Sequence, residues 1–161
     1  MDAPLRIEAA RSGDLPAVLA LLAENGLPEA RLSEHLGMLL VARMGDEVVG
    51  SAGLELYPDG ALLRSVAVAA PLRGRRLGHA LTEAALHLAA ERGARRVYLL
   101  TTTAERFFPR FGFEPTRREL VPPGVRSSPE FTSACPASAH VLAATLSPEA
   151  GTAASPPQPS P

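Results

Sequence analysis

Cysteine is almost absent from this sequence, since Cys135 is the single one among 161 residues. One thiol excludes an intramolecular disulfide and a cysteine-rich metal cluster, and it fits a reducing compartment. The four histidines show no metal-ligand spacing with cysteine or with acidic residues. These observations predict a cytoplasmic protein with no metal site, in which Cys135 is a buried structural residue.

Excess charge and long apolar runs are missing as well. Sixteen basic residues stand against 17 acidic ones, and the net charge of −1 creates no overall field that would attract nucleic acid or an anionic membrane. Residues 1–10 are too charged for the apolar part of a signal peptide, and no run approaches the roughly 18 apolar residues of a membrane span. Neither nucleic acid nor a membrane is therefore an expected partner.

Aromatic residues make up only 4% of the chain, so the core must be built mainly from Leu, Val and Ala. With 161 residues, 46% of them apolar, the chain is long enough for one domain with a real core. Residues 147–161 contain five prolines among Ser, Thr, Ala and Gly and have little to bury. We expect one domain over residues 1–146, followed by a disordered tail over residues 147–161.

Hydrophobic periodicity and turn signals predict a mixed α/β fold. The predicted strands are Leu5–Ala9, Met38–Ala42, Val48–Leu56, Leu62–Val68, Val97–Leu100 and Ala139–Leu146, with extended structure from Phe113 through Arg117. One predicted helix follows a cap at Ser12 and Asp14. The others run from Pro28 through Leu36, from Leu77 to a stop at Gly93, and from Ala104 through Phe111. This order implies a mixed central sheet of about seven strands, with Leu62–Val68 at its centre and helices on both faces.

A basic loop that contains glycine lies between the central strand and the next helix. It reads Arg73-Gly74-Arg75-Arg76-Leu77-Gly78-His79 and opens that helix. Unpaired N–H groups and the dipole at a helix N-terminus attract anions, and the glycines let a phosphate come close to the backbone. The loop therefore indicates a phosphate site, with a solvated arginine-rich turn that caps the helix as the alternative.

With this loop in place, the sequence resembles the GNAT superfamily of N-acetyltransferases. The family signature is Arg or Gln, two residues, Gly, one residue, then Gly or Ala, and this chain matches it at Arg73 and Gly78. Arg76 stands where the family usually has its first signature glycine. The strand Val66-Ala67-Val68 and the segment Phe107–Phe113, which is similar to the family's short helix ending in a Gly-Phe pair, extend the resemblance over most of residues 5–146.

A narrower set of motifs is similar to the arsenic-resistance N-acetyltransferase family of bacterial arsenic operons. These motifs are Leu63–Val68, Tyr98–Glu105, Ser128–Phe131 and Cys135–Ala139. The Leu-Thr-Thr run followed by an aromatic-rich helix is also similar to the acetyltransferase domain of N-acetylglutamate synthases, although the basic residues on the final strands of such a synthase are missing here. Both resemblances imply an amino-acid-like acceptor, such as glutamate or an organoarsenical shaped like it.

The resemblance implies acetyl-CoA as the cosubstrate and a small-molecule amine as the acceptor. It places the pantetheine arm and an N–H for the thioester oxygen on the backbone of Val66, Ala67 and Val68. It places the pyrophosphate around Arg73, Gly74, Arg75, Arg76, Leu77, Gly78 and His79. Dimers are common among similar proteins, so a homodimer is a candidate assembly.

Acetyl transfer to an amine needs a base for the amine and an acid for the leaving thiolate. Glu55 is the candidate base, because burial in an apolar strand is expected to raise the pKa of an acid. The alternatives are an ordered water as the base and an outward-facing Glu55. The family's usual acid, a tyrosine before the Gly-Phe pair, is replaced by phenylalanine, which makes Thr101 and Thr102 the candidate acids. Strand propensity, with helix capping by Thr103, also explains a threonine run.

The acceptor is expected to contact Arg64, Thr103 and Ser128. Arg64 interrupts an apolar strand, and its partner is either a substrate carboxylate, which we prefer, or an internal acid such as Glu55. Ser128 lies in a segment that is either a lid over the acceptor or an ordinary surface loop. Three functions stay open: acetylation of a free amino acid or its toxic mimic, acetylation of a peptide, polyamine or antibiotic, and a non-catalytic acetyl-CoA sensor.

Overall fold

Seven strands form one mixed sheet in the computed structural model, which describes residues 4–29, 32, 37–102, 104–134 and 139–146. The strands are β1 (Leu5–Ala9), β2 (Leu39–Met44), β3 (Glu47–Tyr57), β4 (Gly60–Val68), β5 (Arg96–Thr101), β6 (Glu114–Pro115) and β7 (His140–Thr145). Their spatial order is β1-β2-β3-β4-β5-β7-β6, so β4 lies at the centre, as predicted. Neighbouring strands are antiparallel except β4 and β5, which are parallel.

The described residues contain three α-helices, which are α1 (Leu15–Glu24), α2 (Leu77–Glu91) and α3 (Pro123–Arg126). Single turns of 3₁₀-helix lie at Ser12–Asp14, Ala70–Leu72, Phe108–Phe111 and Arg118–Leu120, and a π-helical turn spans Glu130–Ala134. The crossover between the parallel strands β4 and β5 contains α2. None of the helices in the described part is long and apolar enough to span a bilayer.

The two longer helices cover opposite faces of the sheet. On one face, α2 packs into a core that includes Leu81 and Ala42. On the other face, α1 packs into a core that includes Leu22 and Val41. Successive residues of a strand point to opposite faces, so the neighbours Val41 and Ala42 belong to different cores. Helices on both faces of a mixed sheet confirm the predicted architecture.

The segment after β5 differs from its prediction. A helix from Ala104 through Phe111 is wrong, because the structure has a turn followed by one turn of 3₁₀-helix at Phe108–Phe111. Pro109 has no N–H to continue an α-helical ladder, which limits this segment to a short turn. Gly112, with φ of 92°, ends the turn as predicted.

The other predicted elements lie close to their observed bounds. The long strands and α2 begin and end within one or two residues of the predicted positions. The second helix, predicted from Pro28 through Leu36, falls mostly on residues outside the described part, and residues 147–161 lie outside it as well.

Candidate functional site

The central strands β4 and β5 diverge after a short stretch of pairing. Ala61 pairs with Val97 and Leu62 pairs with Tyr98, and these two fully described strands form no further pairs. The gap between their carboxyl ends is a cavity of about 470 Å³. Its lining comes from both strands, from the chain after α1 and from later loops: Asn25, Gly26, Leu27, Pro28, Leu63, Arg64, Ser65, Val66, Leu99, Leu100, Thr101, Thr102, Ala104, Phe108, Glu130 and Ala139.

A β-bulge in β4 explains the divergence. Ser51 of β3 pairs with Ala67, but Gly53 pairs with Arg64, so β4 has one more residue than β3 between these two pairs. Ser65 in the bulge has φ of 60°, and its carbonyl accepts a 2.7 Å hydrogen bond from the Ser51 hydroxyl. A bulge bends its strand and increases the local twist, and it thereby turns the end of β4 away from β5.

Beyond the bulge, part of the β4 backbone faces the cavity side. Ala69 donates its N–H to the Val49 carbonyl of β3 at 2.8 Å. Because the direction of hydrogen bonding alternates along a strand, Val66 and Val68 direct their backbone groups to the β5 side, where β5 does not pair with them. Ala67 directs its backbone groups to β3. The ligand contacts predicted for Val66, Ala67 and Val68 stay predictions.

The basic loop leads from β4 into the N-terminus of α2. Gly74 has φ of 84°, and Arg76 at the N-cap is left-handed, with φ of 62° and ψ of 14°. Arg76 makes no side-chain capping hydrogen bond, so the N–H groups of Leu77, Gly78 and His79 have no partner within the helix. This arrangement suits an anion at the helix N-terminus, which is the position predicted for a phosphate.

Arg73 ties the loop to two other elements. Its Nε donates to the Val68 carbonyl at 3.3 Å, and its Nη2 donates to Asn25 Oδ1, after α1, at 2.9 Å. Arg75 and Arg76 are exposed. The side chain of Arg73 therefore holds the loop in place, while the charges of the other two arginines face solvent.

The segment before Gly112, where the resemblance places a tyrosine, contains phenylalanines instead. The ring centroid of Phe107 lies 5.0 Å from that of Phe108 and 5.3 Å from that of Phe111. The His79 ring lies 4.8 Å from Phe111, its Nε2 lies 3.4 Å from a carboxylate oxygen of Glu83, and its Nδ1 is buried with no partner among the described residues. The phenylalanines cannot supply a proton to a leaving thiolate.

Glu55 is completely buried, with 0% of its surface exposed. Its carboxylate accepts hydrogen bonds from Arg64 Nη1 at 2.8 Å, from the Tyr57 hydroxyl at 2.5 Å and from Ser128. Burial raises the pKa of Glu55, but the hydrogen bonds from Ser128, Tyr57 and Arg64 and the charge of Arg64 outweigh burial, and the pKa lies below its ordinary value. The expectation of a raised pKa for Glu55 is therefore wrong, and so is the outward-facing alternative. The role of Glu55 as the base stays a prediction.

Arg64 lies in the cavity wall, and acceptors within the protein hold its guanidinium. Besides the contact with Glu55, Nε donates to the Ser65 hydroxyl at 3.1 Å and Nη2 donates to the Pro28 carbonyl at 3.3 Å. The carboxylate of Glu130 lies 3.5 Å from Nε. Of the two partners considered for Arg64, the structure shows the internal acid, and the contact with a substrate carboxylate stays a prediction.

The segment after α3 reaches the cavity through Ser128 and Glu130. Ser128 is 0% exposed, and its hydroxyl contacts Glu55 and accepts the Glu130 N–H at 3.1 Å. The Ser128 hydroxyl therefore forms its hydrogen bonds within the protein, whereas Arg126 and Ser127 are exposed. Glu130 lines the cavity and is 4% exposed. The acceptor contact predicted for Ser128 is not tested by these interactions.

The threonine run begins at the end of β5. Thr101 and Thr102 both line the cavity. Thr101 Oγ1 accepts the N–H of Ala104 at 2.9 Å and thereby caps the turn that follows β5. The helix capping considered for Thr103 falls on a residue outside the described part. Thr103 lies outside the described residues, as does Cys135. The acid role of Thr101 and Thr102 and the acceptor contact of Thr103 stay predictions.

Sequence reasoning missed Glu130 and the chain after α1. Glu130 is a single acid in a proline-containing segment without periodicity, a pattern typical of surface loops, and only its contact with Arg64 shows that it is buried. Residues 25–28 carry turn signals but no sign of facing a cavity. Within the described part, no three His, Cys, Asp or Glu side chains converge as metal ligands would.

Comparison with known proteins gives matches at both the sequence and the structural level. The sequence model of the Acetyltransferase (GNAT) family matches residues 10–113. The amino-acid acetyltransferase of Mycobacterium tuberculosis is 34% identical over 119 residues, which are 66% of this chain and 67% of that protein.

Solved structures share the fold. The N-acetylglutamate synthase of Neisseria gonorrhoeae, complexed with coenzyme A and N-acetyl-glutamate, matches over 91% of this chain with a TM-score of 0.77 at 23% identity. This chain spans 36% of the length of that synthase. A Mycobacterium tuberculosis protein in complex with CoA matches with a TM-score of 0.75 at 25% identity, over 88% of this chain and 99% of that one. These likenesses confirm the predicted fold class.

Proposed function

Because the chain belongs to the Acetyltransferase (GNAT) family and is an acetyl-CoA-dependent N-acetyltransferase, we propose that it acetylates the amino group of a small amino-acid-like molecule. The observation that carries this proposal is the cavity between the diverging ends of β4 and β5. Its lining includes Val66, at the part of the β4 edge with which β5 does not pair, together with Arg64 and Glu130. A thioester and a charged amino acid could meet there.

The cosubstrate fits the edge of β4 and the loop that follows it. Val66 presents its backbone groups, and Val68 its N–H, to the side away from β3, where an amide-containing pantetheine arm can pair with them. The Val68 carbonyl accepts a hydrogen bond from Arg73 Nε. The N–H groups of Leu77, Gly78 and His79 then lie at the helix N-terminus for the pyrophosphate, and the exposed Arg75 adds positive charge. This placement directs the thioester from the loop towards the cavity.

Transfer requires that the amine nitrogen attack the thioester carbonyl and that the C–S bond then break. A backbone N–H at Val66 is positioned on the cavity side of β4 to stabilise the negative charge that develops on the carbonyl oxygen. The ammonium form of the acceptor loses one proton before attack, and the nitrogen loses a second one as the amide forms. The thiolate takes up a proton from water or through the hydroxyl of Thr101 or Thr102, which line the cavity.

The acceptor that we propose first is glutamate or a molecule of its shape. Arg64, whose buried side chain is held by Glu55, is the predicted contact for a carboxylate of such a molecule. One relative is an amino-acid acetyltransferase, and one structural neighbour was solved with N-acetyl-glutamate. The narrower resemblance to the arsenic-resistance family adds an organoarsenical mimic of glutamate as a second acceptor of the same shape.

Thiol release from acetyl-CoA by the purified chain tests this function. The panel contains glutamate, other amino acids, glutamate-like phosphinic and arsinic amino acids, polyamines and peptides, and the signal of the single thiol, Cys135, is subtracted. We expect saturable release with glutamate-like acceptors. Activity with peptides or polyamines alone would overturn the proposed acceptor, and binding of acetyl-CoA without turnover on any acceptor would overturn the proposed function.

A further inference from the structure

The turn between β3 and β4 contacts a segment far along the chain, at the start of α3. Asp59, exposed in this turn, accepts the Gly124 N–H on Oδ2 at 2.8 Å and the Val125 N–H on Oδ1 at 3.2 Å. The N–H groups in the first turn of a helix have no partner within it, and Pro122 at the N-cap makes no side-chain hydrogen bond to them. Asp59 therefore caps α3 from another part of the fold.

The carboxylate and the helix are packed closely together. A Cβ placed on Gly124 would lie 2.9 Å from Asp59 Cγ, so a side chain at this position would displace the carboxylate. On the turn, a Cβ placed on Gly60 would lie 3.1 Å from Val125 Cγ2. Val125 is 0% exposed and packs in a core with Leu62 of β4. The turn, α3 and the central sheet thus hold one another in place.

The chain after α3 continues directly into the cavity wall. The Ser128 N–H donates to the Val125 carbonyl at 3.0 Å, and the Ser128 hydroxyl contacts Glu55 and accepts the Glu130 N–H at 3.1 Å. Ser128 is completely buried, and Glu130 lines the cavity. The position of α3 therefore decides where Ser128 and Glu130 lie relative to the cavity.

Asp59 itself is not among the described residues that line the cavity. Resting on the proposed function, we propose that Asp59 is a positioning residue for the acceptor: by capping α3, it fixes the part of the cavity wall that Glu130 contributes. Reacting groups must be held closely, and a misplacement of about 1 Å can cost about 100-fold in rate. Acetyl-CoA is proposed to bind along β4 and the loop after it, so the positioning acts on the acceptor and not on the cosubstrate.

Asp59→Ala removes both hydrogen bonds to α3 and tests the assignment. We expect kcat/KM for glutamate to fall about tenfold, through a higher KM for glutamate, while KM for acetyl-CoA stays within about twofold. The assay is run at a temperature where circular dichroism shows the variant to be folded. A purely structural role would change the free energy of unfolding but neither KM of the folded protein, so the split between the two KM values reports positioning.

Two further variants separate the cap from the charge. Asp59→Asn keeps a side-chain oxygen that can cap a helix, so it should restore most of the lost kcat/KM. Asp46→Ala is the matched control, because Asp46 is exposed in the turn between β2 and β3 and is not among the described residues that line the cavity. It removes the same charge from a second hairpin turn, and both KM values should stay within about twofold.

A double-mutant cycle tests whether Gly124 acts through Asp59. Gly124→Ala alone should displace the carboxylate and lower kcat/KM for glutamate about as much as Asp59→Ala does. When the carboxylate is already absent, the added methyl group has no clash with it. The double variant should therefore lose about tenfold and not the product of about 100-fold.

Several outcomes would overturn the inference and leave the proposed function intact. They are an unchanged KM for glutamate in Asp59→Ala, an equal rise in both KM values, no rescue by Asp59→Asn, or losses that multiply in the double variant. If Asp59→Ala does not fold, Gly124→Ala should show the same split between the KM values. No turnover of glutamate-like acceptors by the original protein would instead contradict the proposed function.

Discussion

Two clusters in this protein have the same composition, one guanidinium between two carboxylates. They are the edge cluster of Glu8, Asp14 and Arg43 and the cavity cluster of Glu55, Arg64 and Glu130. Each arginine lies beside a strand irregularity, one at the register shift after Ala42 and the other before the bulge at Ser65. Their surroundings differ, since only the second cluster contributes to the described lining of the cavity.

The two clusters also differ in how closely each arginine contacts its carboxylates. Arg43 forms a two-pronged contact with Asp14, at 3.0 and 2.8 Å, and its Nε contacts Glu8 at 2.7 Å. Both carboxylates are thus within hydrogen-bonding distance, and the edge cluster joins β1, β2 and the start of α1. Arg64 holds Glu55 at 2.8 Å, but Glu130 lies at 3.5 Å. A closed cluster serves stability, and a cluster that lines a cavity can also serve a ligand.

Arg64→Ala should have the largest effect of any change to these clusters. It leaves two carboxylates buried without their guanidinium, and such a loss costs about 3–5 kcal/mol of unfolding free energy. It also removes the proposed carboxylate contact, so kcat/KM for glutamate should fall about 100-fold or more. Urea unfolding measures the first effect, and thiol release at low temperature measures the second.

Arg43→Ala is the matched control for that experiment. It should lower the melting temperature by several degrees, yet kcat/KM of the folded protein should stay within about twofold, because Arg43 is not among the described residues that line the cavity. A large loss of kcat/KM in Arg43→Ala under conditions where it is fully folded would contradict the division between the clusters. So would wild-type kcat/KM in Arg64→Ala.

Acid should weaken the edge cluster in a defined pH range. The hydrogen bonds from Arg43 and from the Arg11 N–H lower the pKa of Asp14 from 3.8 to about 2. A group whose pKa is lower in the folded state stabilises the protein above its unfolded pKa, and this contribution disappears as the pH falls towards the folded pKa. The stability that Asp14 adds is therefore complete above about pH 4 and is lost between pH 4 and 2.

Asp14→Asn tests this dependence. At pH 7 it should lower the melting temperature by roughly 5 °C, because Arg43 keeps one of its two carboxylates. The difference from the original protein should shrink as the pH falls from 4 to 2, which urea unfolding at several pH values can follow. A constant difference over this range would show that Asp14 acts through packing and not through its charge.

The sequence predicted the sheet well because the strands carry strong local signals. Alternation in Leu5–Ala9 and the apolar run up to Val68 are local patterns, and β1 and β4 lie where they indicate. The divergence of β4 from β5 was not predictable in the same way. It depends on one extra residue near Ser65, set by the pairing of β4 with β3, and no local pattern marks a bulge without a glycine.

The environment of the buried charged residues was also beyond what the sequence could predict. The sequence singled out Glu55 and Arg64 as unusual in apolar strands, and both are buried, but their environment had to come from the structure. Whether the net shift of the Glu55 pKa is upward or downward depends on the hydrogen bonds from Ser128, Tyr57 and Arg64, which come from different parts of the fold. Glu130 appeared only within the motif Ser128–Phe131, because its contact with Arg64, 66 positions away in the chain, leaves no local pattern.

Backbone strain offers a smaller test of the same contrast between the two regions. Ser65 and Arg76 are the non-glycine residues with positive φ in the described part. Ser65 lies in the bulge and lines the cavity, and Arg76 lies in the loop after β4. A left-handed conformation costs a residue with a Cβ about 1–2 kcal/mol. Glycine avoids this cost, but its more flexible unfolded state cancels part of the gain in stability. Arg76→Gly should therefore raise the unfolding free energy by about 0.5–1 kcal/mol.

Arg76→Ala is the control that separates strain from charge. Both variants lose the same exposed charge, but alanine keeps the Cβ and with it the left-handed strain, so its stability should not rise. If a positive charge near the helix N-terminus helps to hold acetyl-CoA, KM for acetyl-CoA should increase equally in both variants. Equal stabilisation in the two variants would mean that charge repulsion among the loop arginines, and not the backbone, is relieved. A gain confined to Arg76→Gly would place strain in the loop after β4.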